Sequence, residues 1–553
     1  MAFIVKKIIH GKEYFYLNEN KRVDGKVKTK TIAYLGKDRK EAEKRKIEIL
    51  NSSGKFKEEK ISIEKEAKHV KISIEDLANF CKKKGFVFRS SDIYGGYAGF
   101  WDFGPLGVEL FNNIKKDWWN YFVYQREDTV GINASIISHP KTWKASGHIT
   151  GFKDIAVVCK KCKKSNKIEE NEFGKVKCDN CDGEYEKIGE FNLLFKTNVG
   201  TLALDKEDAY LRGETAQAMF MDFKLIYQTS RMKLPFGIAQ IGRCFRNEIA
   251  PRDFLFRSRE FHIAELEFFI NPDEKKCNLL TKKHLNLKIK LLDAETQKIG
   301  KENFVDITIK KMIDEKKLGE WHAYWLAEQI LWLKSLGLLE IKVREHMEDE
   351  RSFYSSATFD IDYEYSFGSK EVAGNADRGI YDLTQHQKES KQSFEIYDEE
   401  SKKKILPRVI EPTFGIERVF LALLTKAYSK NSKGEIVLKL PPKLAPVKAA
   451  VFPIVKKPKF EKISRKIFED LKKEWNVVYD GSGSIGRRYA RNDEIGTPYC
   501  ITIDGDSLKN KDVTIRQRDT SKQIRVKISE LKNILKNLIE EEIDFKDAGK
   551  AIK

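Results

Sequence analysis

The sequence predicts an α+β chain of several domains, with a long β-hairpin among helices and a separate C-terminal α/β unit. Three observations predict it. FRNEIAPRDFLFRSREFHIAELEFF, residues 245–269, alternates as strand in Phe254-x-Phe256 and Glu265-x-Glu267 around an Ala250-Pro251-Arg252-Asp253 break, the pattern of a long hairpin. After the Pro-marked linker 441–448, AAVFPIV, NVVYD and YCITID read as strands separated by a helix and a glycine segment. Cys159, Cys162, Cys178 and Cys181 stand as two C-x2-C pairs, the mark of a small inserted lobe. The hairpin mixes Arg246, Arg252, Arg257 and Arg259 with Glu248, Glu260, Glu265 and Glu267. Arg forks match phosphate oxygens and Glu matches amines, so this platform suits a ligand carrying both; the plainer reading is a salt-bridged hairpin.

Composition narrows the classes. A chain of 553 residues holds two to four domains, and 103 Lys and Arg against 84 Asp and Glu favour a polyanionic partner. No run of 18 apolar residues points to a membrane span, and the N-terminus lacks a signal-peptide core. Eight Cys in so long a chain form no disulfide framework, which points to a reducing cytoplasm.

Taken in order, residues 1–50 read as short strands (FIVKKII, EYFYLNE, KTKTIAYLG) with an Asp24-Gly25 turn and a charged helix over 38–50. Residues 51–72 read as a linker. Through residue 72 the chain carries 20 Lys and Arg against 11 Asp and Glu, so this module is basic: an RNA-binding appendage or merely a solubilising one. IEDLANFCKKKG is a helix stopped by Gly85, and Pro105 opens an amphipathic helix with Val108, Phe111, Ile114, Trp118 and Phe122 on one face, a core or subunit interface. Four thiolates complete a closed tetrahedral shell, so Cys159, Cys162, Cys178 and Cys181 predict structural Zn²⁺ with no open position for catalysis. Residues 274–340 read as helical, ending in a Trp/Leu core helix, and the acidic strands after them offer carboxylates to Mg²⁺ or to solvent. IEPTFGIERVFLALL is a strand, a turn at Gly415 and a helix with Arg418 in its first turn, where a cation is unfavourable unless it shares an anion such as phosphate with the helix end. Gly481-x-Gly483-x-x-Gly486, with Asp504 about eighteen residues on, imitates a dinucleotide fingerprint. Arg487, Arg488, Tyr489 and Arg491 stand where such a helix would be apolar, and better suit unpaired RNA.

Together these segments resemble the dimeric type of glycyl-tRNA synthetase, a class II aminoacyl-tRNA synthetase, over roughly residues 74–540. GPLGVELFNNIKKDWW resembles motif 1, FRNE with FRSREF motif 2, and EPTFGIER motif 3; SDIYGGYAGFWDFGPLG, KTWKASGH, LRGETAQAMF, FHIAELEFF and YDGSGSIGRRYARNDEIGTPYCITID resemble strings particular to that family. The resemblance implies an α+β class II catalytic domain over 73–440, an antiparallel sheet flanked by helices, with a zinc knuckle at 159–181 and a helical insertion at about 274–340. It also implies an anticodon-binding domain over 447–553, a homodimer in the cytoplasm, and ATP with Mg²⁺, glycine and tRNA(Gly) as partners.

Its implied ATP site is Arg246, Asn247, Glu248, Phe256, Arg257, Phe261, Glu371, Val372, Gly415 and Arg418. Arg246 takes the α-phosphate, Arg257 and Arg418 bracket the γ-phosphate, and Arg246 and Arg418 serve catalysis. Its implied glycine pocket is Glu214, Phe261, Glu265, Glu411, Thr413 and Gly415, and its tRNA contacts are Arg487, Arg488, Tyr489 and Arg491. Activation needs no dedicated acid or base, since the nucleophile is already a carboxylate; positioning and electrostatics can carry it. Where relatives have Pro in LRPETAQG this chain has Gly213, the following Gly is Ala218, and the Ser of EPS is Thr413. KKSNKIEE lacks an Arg that many relatives hold near glycine, so no residue is assigned that role. The competing readings are a class II synthetase for another small amino acid and a catalytically silent RNA-binding paralogue.

Overall fold

The computed structural model describes residues 2–9, 12–23, 26–36, 45 and 71–552, except 152, 169–172, 203, 249–250, 353 and 400. It divides into two units, residues 1–67 and 68–553. In the first, Ala2–Ile9, Lys12–Val23 and Lys26–Gly36 form a three-stranded antiparallel sheet, with Phe15 and Leu17 buried. The Asp24-Gly25 turn, nearly all of the helix expected over 38–50 and nearly all of the 51–72 linker lie outside the described residues.

The second unit is organised by a nine-stranded sheet. Its spatial order is Val305–Thr308, Lys288–Leu292, Ile341–Glu345, Ala357–Tyr365, Gly368–Gly379, Arg408–Gly415, Glu260–Ile270, Phe236–Phe245 and Thr129–Gly131. The central strands are antiparallel. Alternation sorts its residues by face: Ala264, Leu266 and Phe268 join Phe414 and Ala373 in the large core, while Glu265 and Glu267 lie on the other face. Behind the sheet pack Pro105–Trp119, the Trp/Leu helix Glu320–Ser335 and Ile416–Ala427, whose apolar residues fill the same core. Gly85 ends the helix Ile74–Lys84 at φ 77, as the sequence predicts. Phe111, Ile114, Trp118 and Phe122 are core, whereas Val108 is exposed.

Two expectations are corrected. The hairpin strands are Phe236–Phe245 and Glu260–Ile270, so Glu265-x-Glu267 is strand but Phe254-x-Phe256 is not. Asp253 and Phe254 take left-handed φ of 58° and 55° in a tight turn closed by an isolated bridge between Arg252 and Arg257. Residues 274–340 are not simply helical: Lys288–Leu292 and Val305–Thr308 extend the sheet, because Ile289 and Leu291 alternate inward with period two.

The four cysteines lie at one end of a small sheet of Lys153–Cys159, Ser165–Ile168 and Tyr185–Asn192. The C-terminal region has a six-stranded sheet and its own core, built on Ala449–Pro453, Tyr499–Ile503 and Asp512–Gln517 and the helices Pro458–Leu471 and Leu531–Ile539. Among the described residues no helix is long and apolar enough to cross a membrane.

Candidate active site

Strand register builds the site. Gln240, Glu265, Thr413 and Gly374 stand opposite one another across four strands. One step along, Glu411 pairs with Ala376, and the same register sets Glu267 beside Glu411. This face opens into a cavity of about 430 Å³ lined by Glu214, Arg246, Glu248, Phe256, Arg257, Phe261, Glu265, Glu371, Glu411, Thr413, Gly415 and Arg418. Two residues named from the sequence are absent from its walls. Val372 is the residue skipped at a register shift between Glu371 and Ala373, and its side chain lies in the core. Asn247 is exposed and its N–H donates to the Leu193 carbonyl at 2.8 Å.

One cluster is cationic and paired. The Arg257 Nε and Nη2 donate to Glu248 Oε2 at 2.9 and 2.6 Å. Arg418 meets Glu371 at 2.7 Å and lies 4.6 Å from the Phe256 ring, so in this protein a carboxylate supplies the anion its helix position calls for. Burial works against the Glu371 charge, but Arg418 outweighs it and holds the carboxyl below its ordinary range. Arg246 sits over Phe261 at 5.5 Å and its Nε donates to the Gly213 carbonyl at 3.1 Å, tying it to the loop that carries Glu214.

The other cluster is acidic and buried. Arg378, 1% exposed, donates to Asp382 at 2.7 and 2.8 Å and to Glu411 at 2.8 Å, clasped between Tyr354 at 3.9 Å and Phe220 at 5.1 Å. Burial opposes the charge on Glu214, yet His148 at 3.2 Å and Arg378 hold its carboxyl below the ordinary range. Burial and the nearby Glu411 and Glu214 charges push Glu265 up to about 8, despite hydrogen bonds from the Thr215 N–H and hydroxyl. Burial also raises Glu411. The Thr413 hydroxyl donates to Glu411 at 3.2 Å. Glu267, which the sequence leaves as a support or a paired surface charge, is 0% exposed. Neither of its oxygens has a partner among the described residues, and burial first, then Glu411, raises its pKa well above the ordinary carboxyl range.

Sequence reasoning missed Arg378, Tyr354 and His148. His148 was within reach, because it ends the quoted string KTWKASGH; Arg378 and Tyr354 carry no local signal and reach the pocket only through folding.

The four cysteine sulfurs lie within 4.8 Å of one another, with Cys159–Cys181 at 3.4 Å and Cys162–Cys178 at 3.6 Å. A tetrahedral zinc–thiolate shell puts sulfurs about 3.8 Å apart, so the donor set fits that ion.

In the C-terminal region the expected arginine cluster is mostly structural. Arg488 is buried on the helix Ile485–Glu494 and donates to the carbonyls of Pro453 and Gly483 at 2.6 and 3.0 Å. Tyr489 is half-buried against Phe452 with its hydroxyl 2.8 Å from Thr502, and Arg491 pairs with Asp480 at 2.6 Å. Arg487 is exposed. Asp504 caps the helix Gly505–Asn510 and pairs with Arg525 at 2.6 Å, an arrangement that occupies the carboxylate a ribose would need.

With that geometry in view, likeness to known proteins decides the family. Residues 448–538 match the model of an anticodon binding domain. The glycine–tRNA ligase of Borreliella burgdorferi (strain B31) is 40% identical over 479 residues, 85% of this chain and 98% of that one. The chain belongs to the glycine–tRNA ligase family. The family's enzyme from Borrelia hermsii is 39% identical over 471 residues, 83% of this chain and 96% of its own, and that from Bacillus thuringiensis 40% over 500 residues, 85% and 99%. A solved prolyl-tRNA synthetase from Cryptosporidium parvum, complexed with L-proline and AMP, is 16% identical, matches at TM-score 0.51, and covers 84% of this chain and 77% of its own. It shows the class II synthetase fold.

Proposed function

We propose that the chain activates glycine with ATP and transfers the glycyl group to the 3′ end of tRNA(Gly). The observation that carries this reading is the meeting of Arg246, Arg257 and Arg418 with Glu214, Glu265 and Glu411 around one cavity. A glycine carboxylate oxygen bonds to the α-phosphorus as the bond to the β-phosphate oxygen breaks and pyrophosphate leaves. A hydroxyl of the terminal ribose then bonds to the glycyl carbonyl carbon, loses its proton, and AMP leaves.

In this reading Arg246 stabilises the charge that develops at the α-phosphate, an electrostatic role strongest in a water-poor site. Phe261 stacks on the adenine with Glu248 at its amino group, Asn247 stays outside the cavity walls, and Phe256 packs beneath Arg418. Arg257 and Arg418 take the γ-phosphate, so ATP entry must open the Arg257–Glu248 and Arg418–Glu371 pairs. Glu371 would hold Mg²⁺, which when bound with ATP neutralises charge on the departing pyrophosphate. Glu214, Glu265 and Glu411 hold the glycine ammonium. Thr413, Gly415 and the Tyr354 ring leave no room at Cα, and exclusion by overlap discriminates better than a missing methylene, worth about 1–3 kcal/mol.

The rest of the chain fits the same reading. The catalytic domain is 73–440 and the anticodon domain 447–553, where Arg487 contacts RNA directly and Arg491 after release from Asp480. The helix Pro105–Trp119 contributes to a homodimer interface, Cys159, Cys162, Cys178 and Cys181 hold structural Zn²⁺, and the enzyme works in the cytoplasm. ATP–pyrophosphate exchange tests it: exchange is expected with glycine and not with alanine, serine or proline. No exchange with glycine sinks the reading.

A further inference from the structure

The loop 91–99 exposes large side chains beside the hairpin connection. Ile93 is 86%, Tyr94 87% and Tyr97 78% exposed, on a segment that packs directly against the hairpin connection. Its backbone is built to this shape. Ser91, Gly95, Gly96 and Gly99 all have left-handed φ, between 54° and 87°. A Cβ on Gly99 would come within 2.7 Å of Pro251 Cβ, and one on Gly96 within 2.5 Å of the Ser90 carbonyl. The Arg259 N–H donates to the Gly99 carbonyl at 2.8 Å and its guanidinium to the Ala98 carbonyl at 3.1 Å. Large exposed side chains on so tightly specified a loop call for a partner.

We propose that the loop 91–99 is a stacking surface for the unpaired 3′ nucleotides of tRNA, leading them into the activation cavity. Two features select this occupant. The loop borders a second cavity of about 270 Å³ lined by Arg89, Tyr97, Trp101, Arg252 and Arg257, and Arg257 also lines the activation cavity, so the two cavities adjoin at Arg257. Its rim is cationic: Arg89 and Arg252 are exposed beside the tyrosines and offer charge to the backbone phosphates. Exposed rings flanked by guanidinium groups match single-stranded nucleotides, whose bases stack and whose phosphates take the arginines. The loop is thereby a tRNA-positioning surface rather than part of the activation chemistry. This inference rests on the proposed ligase activity.

The test compares Tyr94→Ala, Tyr97→Ala and Tyr97→Phe in the full-length chain. Expected results are normal glycine-dependent exchange and a fall of about ten-fold or more in single-turnover transfer to tRNA for each alanine variant. Transfer by the phenylalanine variant should stay near the unmutated rate. Binding of a tRNA lacking its 3′ unpaired nucleotides should be equal in all of them. Transfer that is unaffected by alanine, or exchange that falls in step with it, overturns the proposal. So does sedimentation showing that the alanine variants lose a dimer, since a second copy would then cover the loop. Absence of glycine-dependent exchange in the unmutated chain overturns the ligase reading and the loop with it; normal exchange without a tyrosine effect overturns the loop alone.

Discussion

The two clusters around the cavity handle charge in opposite ways. Around Arg257 and Arg418 each guanidinium has its own carboxylate, Glu248 or Glu371, in partly exposed pairs. Around Arg378 the carboxylates of Glu214, Glu265, Glu267, Glu411 and Asp382 crowd one buried guanidinium and His148. Partly exposed pairs are weak and open readily when a phosphate arrives. The buried cluster holds more acids than cations, so it attracts an incoming ammonium, and burial eases the crowding by raising the pKa of Glu265 and Glu267. The phosphate side opens ion pairs to bind, whereas the amino-acid side needs Glu265 ionised.

The largest way to break that contrast is Arg378→Met, which leaves Asp382 and Glu411 buried without their cation. Urea unfolding should show a loss of about 3–5 kcal/mol, with glycine-dependent exchange abolished. Arg246→Ala should lower exchange by about 10²–10³-fold while tRNA affinity, measured by filter binding, stays near normal. Exchange comparable to the unmutated chain would refute its role at the α-phosphate.

A third test uses pH. An ammonium binds the ionised form of Glu265, so protonation competes with glycine. The glycine KM should rise as pH falls below about 8, by up to about ten-fold per unit, and Glu265→Gln should flatten that dependence. Stability runs the other way. A carboxyl raised from 4.5 to about 8 by folding disfavours the folded state increasingly as pH climbs through that window, so Glu265→Gln should gain stability with rising pH in chemical denaturation. The smallest effect should come from Glu267→Gln, an amide replacing a buried acid of the same shape. Exchange should remain within about two-fold, and thermal unfolding should show neutral or improved stability, increasingly so above the ordinary carboxyl pKa. A large loss would mean that Glu267 is ionised.

Much of this was legible because it is local. Glycine stops, strand alternation at Glu265 and Glu267, the cysteine pairs, and the strand–Gly415–helix turn depend on neighbours within a few residues. Where alternation occurred in a turn it misled: Phe254 and Phe256 imitate a strand, but Asp253 and Phe254 adopt a backbone no pattern of apolar residues reveals. Arg488 misled for another reason. A run of arginines reads as a surface, yet this one is consumed by the carbonyls of Pro453 and Gly483, which the fold brings together from separate segments.

By itself the sequence determined the fold class, the motif arginines and the glutamates, because secondary structure and family-specific strings follow from residue order. Only the tertiary structure decided the ionic state of the site. Which guanidinium meets which carboxylate, why Arg378 must serve several acids, and why the pKa of Glu267 is raised depend on burial and on distances between strands far apart in the chain. Electrostatic energy depends on those distances and on the exclusion of water, and neither is written in the order of residues.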